Sequence, residues 1–114
     1  MDEVTTLARG VVEACAPEEL PFFAAASAAY FRDPRRALAG RKRSDEVLGS
    51  GLDTAVALLS PVALAVAAAV YEAGARDEDD VRAVVARRAA ELGLAPNQVE
   101  LVADAVLVSL SRNE

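Results

Sequence analysis

The sequence predicts an all-α fold, a compact antiparallel bundle of about six helices plus one short one, forming a single domain over residues 1–114. Three observations carry this expectation. Apolar residues recur at spacings of three and four, with no period-two alternation that would signal strands. Pro, Gly, Asp and Ser punctuate the chain at helix-length intervals. The 54% hydrophobic content comes mainly from Ala, Val and Leu, with two Tyr, three Phe and no Trp, a palette suited to closely packed helices.

The elements follow in order. Val4, Leu7, Ala8, Val11, Val12 and Cys15 form one face of a first helix from Asp2 to Cys15, ended by Pro17. Cys15 lies on that stripe and reads as a small buried hydrophobe. Glu18 and Glu19 lead into a second helix, which Pro21 opens and which runs to about Arg32 with Phe22, Phe23, Tyr30 and Phe31. Asp33 and Pro34 look like a cap and first-turn proline for a short helix, 34–39, stopped at Gly40. Arg41, Lys42 and Arg43 then form a link. Ser44 caps the next helix, whose Val47, Leu48, Leu52, Ala55, Val56 and Leu59 share a face across Gly49 and Gly51.

Ser60 and Pro61 repeat the cap-plus-proline signature, predicting a helix over 61–73 stopped by Gly74. It is apolar on nearly all sides until Glu72, which places it at the centre of a bundle or in a membrane. Asp77 caps a helix with Glu78, Asp79 and Asp80 in its first turn and Val81, Val84, Val85, Ala89 and Leu92 inward, ending at Gly93. Pro96 opens the last helix, to about Ser111, apolar on Val99, Val102, Val106 and Leu110 and again on Leu101, Ala105 and Val108.

Composition narrows function. The chain has no histidine, so Ser-His and Cys-His nucleophile pairs and most zinc sites are absent. No catalytic residue, metal or cofactor is expected, and the chain reads as non-enzymatic. A single cysteine cannot staple the fold, and no basic-then-apolar export signal opens the sequence, so the expected location is the cytoplasm. The net charge of −6 argues against general attraction to nucleic acid or anionic lipid.

Three segments suggest other roles. The uncharged run from Thr54 to Tyr71 approaches a membrane span and would suit a small membrane-associated effector. It is rich in Ala, however, and Ser60-Pro61 divides it, so a buried core element is the preferred reading and no membrane insertion is expected. Residues 86–102 resemble the helix-turn-helix motif of DNA-binding regulators, with Ala89, Gly93, Val99 and Val102 at its anchor positions. The second helix of that motif presents Asn97, Gln98, Glu100 and Asp104, an acidic face unsuited to phosphates, so nucleic acid is not expected as a partner. The acidic cluster Asp77, Glu78, Asp79 and Asp80 fits a helix N-terminus better than a metal.

The strongest anomaly is the basic segment. Arg32, Arg35, Arg36, Arg41, Lys42 and Arg43 are half of the twelve positive residues, opposed locally only by Asp33. One reading is a solvated connection. The other is a patch that docks onto a negative surface, either on another protein or on the Asp77–Asp80 end of a second copy, with arginine supplying bidentate pairing. Such a head-to-tail contact would build rings or filaments.

Six antiparallel helices with a core of small aliphatics, no catalytic set and opposed charge patches together resemble the death-fold interaction domains, including the caspase-recruitment-like domains of bacterial anti-phage defence systems. The Gly49-Ser50-Gly51 stretch and the short helix 34–39 depart from that pattern. The resemblance implies a non-enzymatic adaptor that recruits, or oligomerises with, a protease or other effector in bacterial defence signalling.

Overall fold

The computed structural model describes residues 3–38 and 59–112, and every regular element among them is helical. Helix α1 spans Glu3–Cys15, and a single 3-10 turn, Pro17–Glu19, leads into α2, Leu20–Arg32. Residues 34–38 are also helical. Helices α3 (Ser60–Ala73), α4 (Glu78–Glu91) and α5 (Pro96–Arg112) complete the described chain. The expected helix from Ser44 to Leu59 lies outside the described residues apart from Leu59.

Four helices close a ring. α1 packs on α3 and α5, and α4 packs on the same two, while α2 is attached outside the ring, chiefly to α3. The pairings are antiparallel. Glu3 at the start of α1 acts on Tyr71 near the end of α3, whereas Glu19, just beyond α1, reaches Ser60 at the start of α3. Cys15 approaches Leu101 and Gly10 approaches Ser109, so α1 and α5 run in opposite senses. Arg82 bonds Asp104 across the α4–α5 pair.

As its composition predicts, α3 is the central element. Ser60, the run from Val62 to Ala67, and Val70 are all buried, meeting Leu7, Val11 and Val12 of α1, Val81 and Val85 of α4, and Val102 and Val106 of α5 in one cluster. Each buried Val or Leu contributes about 1.5–3 kcal/mol relative to exposure, so this row is the main source of stability. At 14 residues the helix is also too short to cross a bilayer, and no helix among the described residues is long and apolar enough to do so.

The turn signals act as their chemistry requires. Gly74 ends α3 at φ 67°, and Gly93 takes φ 90° after α4, both in the left-handed region that side chains resist. Asp77 Oδ1 accepts from the Asp80 amide at 2.9 Å, and Asp33 Oδ1 accepts from the Arg36 amide at 3.3 Å.

Two expectations require correction. Ser60 is not a cap. It is the first residue of α3, Leu59 occupies the cap position in helical geometry, and no side chain of either closes the helix from within. The caps come instead from Glu19. Cys15 is only half-buried, because it sits where α1 ends and the α1–α5 contact opens. Its thiol points toward the Leu101 carbonyl oxygen at 3.7 Å.

Candidate functional site

Among the expected docking residues, Arg32, Arg35 and Arg36 are exposed, and none of them forms an ion pair with another described residue. They gather because α2 ends at Asp33, whose extended backbone turns the chain into the helical residues that follow. Arg32 and Arg36 line one shallow groove of about 470 Å³ with Ala29, Asp33 and Ala37. Asp33 is the only acid among the described residues lining it, and its carboxylate is engaged by the Arg36 amide. Phe31, with 49% of its surface exposed, immediately precedes Arg32 in the chain and stands edge-on to Tyr30, with ring centroids 5.5 Å apart. An apolar anchor therefore accompanies the charge. Arg41, Lys42 and Arg43 lie outside the described residues.

The acidic cluster lies apart on the first turn of α4. Asp77 is occupied as the cap, and Glu78 Oε2 accepts from Arg82 Nε at 3.2 Å, which leaves Asp79 and Asp80 as its exposed charges without an ion pair among the described residues. Arg82 also donates to Asp104 Oδ1 at 2.8 Å, and these two carboxylates raise its pKa. The structure does not bring the basic and acidic clusters together: no ion pair among the described residues links them.

The helix-turn-helix-like stretch keeps its packing anchors. Ala89 and Val102 are buried and Val99 is half-buried, while the exposed side of α5 carries Asn97, Gln98, Glu100, Leu101 and Asp104. These anchors serve to pack α4 on α5.

The sequence reading missed Glu19. It is 7% exposed, and its carboxylate receives three hydrogen bonds from the start of α3. Leu59 N–H donates to Oε2 at 2.7 Å, Ser60 N–H to Oε1 at 2.9 Å, and Ser60 Oγ–H to Oε1 at 2.7 Å. A carboxylate at a helix N-terminus satisfies orphan amides and complements the helix dipole. The available signal was Glu19 between Pro17 and Pro21, two prolines that hold the chain in a fixed turn around it.

The cleft beside this contact, about 260 Å³, includes Cys15, Glu19, Leu94, Gln98 and Leu101. Two of its acceptors are already committed: Glu19 to α3, and Gln98 Oε1 to the Ala95 amide. Burial raises the pKa of the Cys15 thiol, the opposite of what a reactive cysteine needs. Among the described residues, no group of His, Cys, Asp and Glu side chains is arranged to hold a metal ion.

No protein family, curated protein or solved structure matches this chain.

Proposed function

We propose that the chain is a non-enzymatic protein-interaction module that docks through Arg32, Arg35 and Arg36 onto an acidic surface of a protein partner. The observation that carries this reading is the set of three exposed guanidinium groups with no ion pair among the described residues, adjoining the half-exposed Phe31 in the chain, with the Asp33 carboxylate among them already engaged. Guanidinium groups left free of internal partners retain their capacity for bidentate pairing, and an adjacent aromatic ring supplies the apolar contact that charge alone lacks. On the death-fold resemblance, the module would act as an adaptor that recruits or oligomerises with an effector in bacterial defence signalling, with Arg41, Lys42 and Arg43 adding to the basic charge of the same sequence segment.

The test is charge reversal. The variant carrying Arg35→Glu, Arg36→Glu and Arg41→Glu should keep its helical circular dichroism and melting temperature but lose the protein captured from the native host by the unaltered chain. Undiminished capture would refute the proposal. So would a steeply salt-dependent shift of duplex DNA, which belongs to a regulator, or sedimentation with liposomes, which belongs to a membrane effector.

A further inference from the structure

The outer face of α2 is unusual for a solvent-facing helix. No charged residue occurs from Leu20 through Phe31, and among the described residues the helix buries a narrow stripe of Phe23, Ser27 and Tyr30, with Leu20 partly buried at its start. Pro21, Ala24, Ala25, Ala28 and Ala29 are exposed, as is Phe22 with 62% of its surface. At 100° per residue, Ala25, Ala28 and Arg32 form the outward ridge, with Phe22 on one flank and Phe31 on the other. The two ends of this ridge differ in sign. Glu18 is exposed just before the helix and Arg32 is exposed at its end, and neither has an ion-pair partner among the described residues.

We infer that this face pairs with the same face of a second copy, antiparallel, about a twofold axis beside Ala25. Charge selects the occupant and its direction. A parallel arrangement sets Glu18 against Glu18 and Arg32 against Arg32, whereas the antiparallel one sets each Glu18 against the other copy's Arg32, twice by symmetry. The same register puts the bulky Phe22 of each copy opposite the small Ala28 of the other, and the alanine ridge lets the helices approach to about 8 Å. Antiparallel helix dipoles add to the preference. A ridge about 20 Å long buries roughly 400–500 Å² per copy, at the low end for specific interfaces, so the dimer forms with a Kd on the order of 10–100 μM.

Sedimentation velocity of the full chain from about 5 μM to 1 mM tests the pairing. The expected result is a concentration-dependent dimer, abolished by Ala25→Glu, which sets two carboxylates against each other on the axis while circular dichroism stays unchanged. Glu18→Arg and Arg32→Glu should each raise the Kd about tenfold. Combined in one chain they should restore it to within about threefold, because the exchanged poles again meet their opposites. A monomer across the whole range would overturn the inference, as would a dimer indifferent to Ala25→Glu or a double variant no better than the single ones. A dimer lost with Arg35→Glu and Arg36→Glu but not with Ala25→Glu would assign self-association to the basic patch and overturn pairing through α2. Partner capture lost with those arginine changes while the α2 dimer persists would separate the two surfaces and support this one. Sedimentation with anionic phospholipid vesicles without any self-association would also overturn it.

Discussion

Replacing Glu19 should destabilise the fold more than any other single change at a polar residue. In Glu19→Ala the amides of Leu59 and Ser60 and the Ser60 hydroxyl lose their acceptor together. Ser60 is 1% exposed, so solvent does not readily replace it. Hydrogen bonds to a charged group are worth about 1.5–3 kcal/mol singly, but three sharing one carboxylate are not additive, and the half-buried Leu59 amide regains some hydration. The net loss should be about 3 kcal/mol. At about 4 °C per kcal/mol for a domain of this size, the melting temperature should fall by roughly 12 °C. Glu19→Gln keeps the shape but must aim its NH₂ at one of the two amide donors, so about 1.5 kcal/mol should go. Urea denaturation followed by circular dichroism at 222 nm measures both. A double-mutant cycle with Ser60→Ala should show about 1 kcal/mol of coupling. A Glu19→Ala loss below about 1 kcal/mol, or no coupling to Ser60, would refute the argument that this carboxylate caps α3.

Two further predictions concern packing and pH. A Cβ on Gly10 would run into Ser109 Oγ and come within 3.1 Å of Ser109 Cβ, so Gly10→Ala should cost about 1–3 kcal/mol in urea melts, and adding Ser109→Gly should recover most of that loss. Burial raises the pKa values of Cys15, Tyr30 and Tyr71, with Arg88 opposing and Glu72 reinforcing the shift at Tyr30 and Glu3 reinforcing it at Tyr71. A raised folded-state pKa contributes stability that is complete below the unfolded value and lost as pH climbs through the folded one. The urea midpoint should therefore fall above about pH 9 through Cys15 and further above about pH 10 through the tyrosines. Cys15→Ala should remove the earlier part of that fall, and a midpoint that rises with alkali would contradict the assignment.

The helical architecture was legible because its signals are local. Asp77, Gly74 and Gly93 act within a few residues of themselves, and an all-apolar helix such as α3, divided from the preceding run at Ser60-Pro61, is too short to span a membrane and takes the central position. What escaped depends on distant partners. Ser60 before Pro61 has the form of a local cap, yet its hydroxyl is committed to a carboxylate 41 positions earlier, and spacing carries no record of that contact. Cys15 follows the α1 stripe, but periodicity gives the direction of a side chain and not where the neighbouring helix stops covering it. At the candidate site, the clustering of Arg32, Arg35 and Arg36 was plain from sequence. So was the engagement of Asp33 as a cap, whereas the half-exposure of Phe31, next to the buried Tyr30, required coordinates.

The Glu19 contact also bears on how the chain closes on itself. Glu19 meets Leu59 across 39 intervening residues, so one carboxylate fastens the two ends of that excursion in the sequence to the four-helix ring. Closing a loop of that length costs about 3 kcal/mol of chain entropy, close to what the three hydrogen bonds return. The cost grows only with the logarithm of length. Doubling the excursion would add about 0.6 kcal/mol, which makes it the place where the chain can gain or lose sequence, and with it a binding surface, while α1, α3, α4 and α5 keep their contacts.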